Sequence, residues 1–163
     1  GASVLLHFSY LAAVAHKSER CRHQFLHGLA VLDHQGCVLA HDIRYSDFIA
    51  RMDLAYAVAD VVISRSGASS ISELCAAHKA AVFVPSPNVA EDHQTKNAMA
   101  LVNKDAALMV KDVDAPKEVI SLALATVMDE KKLSTLSENV KKLGLPASAD
   151  IIADEVLKLA EKK

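Results

Sequence analysis

The residues best suited to do chemistry in this chain stand directly behind two short apolar runs. The first stretch is Val61-Val62-Ile63-Ser64-Arg65-Ser66-Gly67-Ala68-Ser69-Ser70-Ile71-Ser72-Glu73. Its β-branched start predicts a buried strand. The strand is expected to stop at Arg65-Ser66-Gly67, where Gly67 suits a backbone conformation that other residues resist. Ser69 or Ser70 is then expected to cap a helix. In an open α/β sheet, ligands bind just past the carboxyl ends of the strands, and a helix N-terminus there favours phosphates. Glu73, three residues after Ser70, has two readings. It is either the capping-box partner of Ser70 or an acceptor for paired sugar hydroxyls.

The second stretch, residues 80–97, repeats the plan. Ala80–Val84 reads as a strand, and Pro85 and Pro87 fix a loop that cannot extend a ladder. Glu91, Asp92, His93, Gln94, Thr95, Lys96 and Asn97 then crowd the start of a helix. The helix dipole accounts for Glu91 and Asp92. An imidazole beside an amide, His93 and Gln94, supplies both donors and acceptors, which reading several sugar hydroxyls requires.

The elements around these stretches alternate. Leu54–Ala59 reads as a helix before the Val61 strand, Ser70–Ala77 as the helix after it, and Thr95–Asn103 as the next. Ala107–Val110 reads as a short strand, followed by a helix that ends near Met128. Leu133–Leu143 and Ala149–Leu159 carry apolar residues three and four apart and read as amphipathic helices, broken at Gly144 and Pro146. Alternating strands and helices predict a parallel sheet.

At the amino end, Val4–Phe8 reads as a first strand and Leu11–His27 as a first helix. Composition excludes other classes. The 163 residues fit one domain, and a 52% hydrophobic content without Trp suits parallel strands covered by helices. A net charge of -2 offers nothing to nucleic acid. No apolar stretch reaches membrane-spanning length. Three scattered cysteines argue against a disulfide framework and for a reducing cytoplasm.

Together, Ile49–Asp60, Ser64–Glu73 and Pro85–Ala98 resemble the MurG family of bacterial UDP-N-acetylglucosamine transferases, from about Asp42 to the C-terminus. The resemblance implies an α/β fold with a Rossmann-like parallel sheet flanked by helices, the C-terminal half of a GT-B glycosyltransferase. It divides the chain into an atypical segment, 1–41, and a UDP-GlcNAc-binding domain, 42–163. It implies that GlcNAc passes from UDP-GlcNAc to an undecaprenyl-diphosphate-MurNAc-pentapeptide, in a peripheral enzyme at the cytoplasmic face of the inner membrane. No cofactor and no metal are implied, because helix dipoles and loop amides would hold the diphosphate.

Carried over residue by residue, the resemblance assigns Ile49 and Met52 to the uracil. Ala68, Ser69 and Ser70 fall to the diphosphate and Glu73 to the ribose hydroxyls. His93 and Gln94 fall to the GlcNAc, and Asn97 to bracing the loop. Arg65 reads equally as a brace, a phosphate-facing cation or a solvated side chain. The catalytic base would come from the family's other half, so no residue here is assigned that role.

The family opens this domain with a glycine-rich diphosphate loop. This chain has no glycine between Gly1 and Gly28, which predicts weak diphosphate binding. Six of its eight histidines (His7, His16, His23, His27, His34, His41) share that segment with Cys21 and Cys37. A non-enzymatic His/Cys metal-binding module is therefore one alternative. A UDP-GlcNAc 2-epimerase-like domain and a stand-alone donor subunit of a two-subunit transferase are others.

Overall fold

The computed structural model describes residues 4–8, 11–14, 31–32, 38–39, 49–145 and 147–161. The histidine- and cysteine-rich segment lies mostly outside them, as does the expectation of a metal module there. Among the described residues, seven strands form two sheets: β1 (Val4–Phe8), β2 (Leu11–Val14), β3 (Val31–Leu32), β4 (Val38–Leu39), β5 (Val61–Ser64), β6 (Ala80–Phe83) and β7 (Leu108–Met109). The main sheet runs β2-β1-β5-β6-β7, and β3 and β4 pair separately. β1, β5, β6 and β7 are parallel. Val61 stands opposite Ala80, and Ser64 opposite Phe83.

The edge strand β2 runs antiparallel to β1, with Leu5 opposite Val14 and Phe8 opposite Leu11. This corrects the expected helix over Leu11–His27, at least for its first four residues; residues 15–27 lie outside the described set. A short apolar run such as Leu11-Ala-Ala-Val14 carries no period that separates helix from strand. Two intervening residues after β1 favour a hairpin return, and antiparallel pairing is what so short a connection permits.

Among the described residues, six α-helices accompany the strands: α1 (Met52–Val58), α2 (Ala68–Ala76), α3 (His93–Val102), α4 (Ala115–Met128), α5 (Glu130–Lys141) and α6 (Ser148–Glu161). The two-residue period of the strands sorts their side chains into two cores. Val62, Ala81 and Phe83 pack with Ala55 and Tyr56 of α1, Leu74 and Cys75 of α2, and Ala98 and Leu101 of α3. Val61, Ile63, Ala80, Val82 and Val84 face Val119, Ala123 and Val127 of α4. α5 serves both cores, through Leu136 and Val140. Every side chain of β5 and β6 is buried, the mark of a parallel sheet covered on both faces.

α6 is the exception. Its apolar residues Ile151, Ile152, Val156, Leu157 and Leu159 are exposed. No helix among the described residues is long and apolar enough to cross a membrane.

Candidate functional site

The parallel strands all deliver their carboxyl ends to one edge, and the two polar stretches meet there. β5 ends at Ser64, and the chain enters α2 through Gly67, which has φ −65° and ψ 153°. Gly67 therefore adopts an ordinary extended conformation, not a special one. What its missing side chain provides is space, since a Cβ there would meet nothing nearer than the Ser70 hydroxyl at 3.9 Å.

No side chain caps α2. The first intrahelical bond is Ile71 N–H to Gly67 C=O, at 3.0 Å. The amides of Ala68, Ser69 and Ser70 thus belong to the helix's unbonded first turn. Because the N-cap is Gly67, Ser69 and Ser70 lie inside the helix and do not cap it, contrary to expectation. A capping box between Ser70 and Glu73 is excluded for the same reason, since that motif needs its serine at the N-cap. The result is a helix start with unbonded amides and the positive end of its dipole at the strand's end.

Three loops are tied together around this entrance. An Nη1 of Arg65 donates to the Val84 carbonyl at 3.0 Å and the Pro85 carbonyl at 3.2 Å. The same nitrogen pairs with the Asp112 carboxylate. Arg65 thereby links the loops that follow β5, β6 and β7. Ser66, fully buried, donates its hydroxyl to the Gln94 carbonyl at 2.8 Å. The Asn97 amide donates back to the Ser66 carbonyl at 3.2 Å. The Ser86 N–H donates to the Gln94 side-chain oxygen at 2.8 Å. Gln94 thus spends its acceptor on the loop and keeps its Nε2 donors.

The neighbouring backbone is constrained. Glu91 and Asp92 both have positive φ, 55° and 51°. Such geometry costs about 1–3 kcal/mol per residue and persists only where its surroundings impose it. Asp92 precedes α3 without capping it, so the dipole explanation of the acidic pair does not describe the local hydrogen bonding. His93 is exposed and its Nδ1 lies 2.8 Å from the Ala90 carbonyl. A carbonyl only accepts, so Nδ1 carries the proton, and in the neutral ring Nε2 is an acceptor.

On the other flank, Tyr56 of α1 donates its hydroxyl to Oε2 of Glu73 on α2, at 3.0 Å. Glu73 is exposed while the Tyr56 ring is buried. Burial, and secondarily the Glu73 carboxylate, raises the phenol far above its ordinary pKa. Tyr56 is therefore a proton donor throughout the physiological range. Ile49 and Met52 are half-buried against the first core beside α1.

Of the residues singled out from the sequence, the structure brings Ala68, Ser69, Ser70, Gln94 and Asn97 together around the α2 entrance and sets Glu73 further along α2. Met52 opens α1 and Ile49 precedes it. The sequence reading missed Tyr56, Ser66 and Asp112. A helical tyrosine between alanines reads as core, and no local pattern in a single chain marks a serine or aspartate whose partner lies far along it. Among the described residues, no group of three metal-ligating side chains comes together.

The fold is that of an open α/β domain with its polar loops gathered beyond the strand ends. The model of the glycosyltransferase family 28 C-terminal domain matches residues 15–152, and the chain belongs to that family. Two similar curated proteins are each named UDP-N-acetylglucosamine--N-acetylmuramyl-(pentapeptide) pyrophosphoryl-undecaprenol N-acetylglucosamine transferase. The Parabacteroides distasonis protein is 61% identical over 118 residues, which are 72% of this chain and 32% of the relative. The Bacteroides thetaiotaomicron protein is 63% identical over 120 residues, 74% of this chain and 32% of the relative. The chain thus spans about a third of the length of these relatives.

Among solved structures, Acinetobacter baumannii MurG superposes with a TM-score of 0.63 at 33% identity, over 69% of this chain and 33% of that one. The glycotransferase of kitacinnamycin matches with a TM-score of 0.52 at 19% identity, over 71% of this chain and 30% of its own. That second likeness concerns the fold alone.

Proposed function

We propose that this chain is the donor-binding part of an inverting transferase that moves GlcNAc from UDP-GlcNAc to the MurNAc of an undecaprenyl-diphosphate-linked pentapeptide. The observation that carries the reading is the uncapped entrance of α2 behind β5, with Glu73 on the same helix. Unbonded amides at Ala68, Ser69 and Ser70 suit a diphosphate, whose charge grows as it departs. A carboxylate at Glu73 suits a ribose diol. His93 Nε2 and Gln94 Nε2 offer an acceptor and donors to the GlcNAc hydroxyls, while Ile49 and Met52 flank the uracil.

Residues 42–163 form the UDP-GlcNAc unit in this reading, and β1 and β2 of the preceding segment extend its sheet. Inversion requires a base on the acceptor hydroxyl, and that base belongs to sequence beyond this third of the relatives' length. The whole enzyme would work at the cytoplasmic face of the membrane, where its lipid-linked acceptor resides.

The test is calorimetric titration of UDP-GlcNAc and UDP into wild-type protein and Glu73→Ala. Charged hydrogen bonds contribute about 1.5–3 kcal/mol each, so losing a diol acceptor should weaken binding by about 2–4 kcal/mol. Equal affinity for wild type and variant would remove Glu73 from the site. Absence of any UDP binding to wild type would refute the donor-domain reading for this chain.

A further inference from the structure

Resting on the reading of Glu73 as the ribose acceptor, we propose that Tyr56 is a positioning residue for it. The buried phenol of α1 locks the exposed Glu73 carboxylate of α2 in the orientation that receives the ribose diol. The pairing is asymmetric. Tyr56 is 6% exposed, with its ring packed in the first core, so its oxygen is set by packing and not by solvent. Glu73 is exposed and three torsions from its backbone, and free in water it would lose considerable rotamer freedom on meeting a ligand.

The 3.0 Å bond to Oε2 removes part of that loss before the ligand arrives. It occupies one of roughly four acceptor positions on the carboxylate. Oε1 and the second lone pair of Oε2 remain for two ribose hydroxyls. The two groups sit on the helices that precede and follow β5 in the chain, both packed in the first core, so the strand that carries the phosphate-facing turn also sets the distance between phenol and carboxylate. Tyr56 itself need not touch the nucleotide.

The experiment titrates UDP and 2′,3′-dideoxy-UDP into the 163-residue chain as wild type, Tyr56→Phe, Glu73→Ala and the double variant. Tyr56→Phe keeps the ring in the core and removes only the hydroxyl. The expected result is a three- to tenfold loss of UDP affinity, about what ordering one long side chain costs. Affinity for the dideoxy ligand should not change, and the Tyr56 effect should vanish in the Glu73→Ala background.

A Tyr56→Phe variant that weakens both ligands equally, or neither, overturns the proposal while leaving Glu73 in the ribose site. Wild-type protein that does not prefer UDP over its dideoxy analogue overturns the Glu73 reading, and this inference with it. If circular dichroism shows Tyr56→Phe unfolded, Glu73→Asp decides. It withdraws the carboxylate by one methylene without touching the core and should lose the preference for UDP. Retained preference in Glu73→Asp refutes a requirement for the locked geometry.

Discussion

Replacing Arg65 by alanine should destabilise the fold by about 2–3 kcal/mol. One Nη1 serves the Val84 carbonyl, the Pro85 carbonyl and the Asp112 carboxylate. The Arg65 and Asp112 side chains are 30% and 37% exposed, so the ion pair itself is screened. At that exposure it contributes about 0–1 kcal/mol. The larger share comes from the two carbonyls, which would lose a charged donor at the ends of buried strands. Water can reach them in part, which keeps the sum below the roughly 3–6 kcal/mol of two fully buried charged bonds.

Urea unfolding followed by circular dichroism measures the loss as a lower midpoint at unchanged slope. In a chain of this length it corresponds to a fall in Tm of about 4–12 °C. Arg65→Lys should recover less than half, because its nitrogen ends one bond short of the position that Nη1 holds among the three acceptors. Asp112→Asn should cost about 1 kcal/mol or less. A loss below about 0.5 kcal/mol for Arg65→Ala would refute the three-loop clamp. An Asp112→Asn loss equal to that of Arg65→Ala would assign the whole effect to the ion pair, against the reasoning given.

Gly144→Ala would bring a Cβ to 2.9 Å from the Cys75 carbonyl oxygen and 3.3 Å from its carbon. Overpacking of that kind costs about 1–3 kcal/mol, and a neutral result in thermal unfolding would show that the Gly144 turn can move away from α2. The Tyr56 phenol, raised first by burial and then by Glu73, keeps a proton that the unfolded chain releases near its ordinary 10.0. Stability from this group is therefore whole below that value and declines as pH rises above it, and Tyr56→Phe should flatten the alkaline limb of the urea midpoint. An unchanged limb would exclude the linkage. With both substrates needed in reacting geometry, the 163-residue chain alone should transfer no GlcNAc to a soluble lipid-linked MurNAc acceptor. Turnover in a radiolabel assay would mean that it holds a base of its own.

Much of the parallel framework was legible because its signals are local. β5, β6 and the helices from α1 to α6 fall within a few residues of their expected bounds. β-branched runs, proline stops and apolar spacing act over one or two turns of chain. The misreadings arose where neighbours outside the local window decide. Leu11–Val14 pairs as a strand because β1 offers it an edge. Gly67, not a serine, became the N-cap of α2, because the helix began two to three residues earlier than hydroxyl preference suggested.

By itself the sequence determined which chemistry was possible, and that it would collect beyond the strand ends. Hydroxyls, amides and a carboxylate stood behind buried apolar runs, and such runs must lie side by side to bond their backbones away from water. Only the tertiary structure decided how those groups are shared out. Gln94 gives its acceptor to Ser86, Arg65 joins three loops, and the Glu73 carboxylate is held by Tyr56, 17 positions away. Each of these depends on the distance between chain segments far apart in sequence. That distance is set by sheet register and helix packing, which a single chain's residue order does not display.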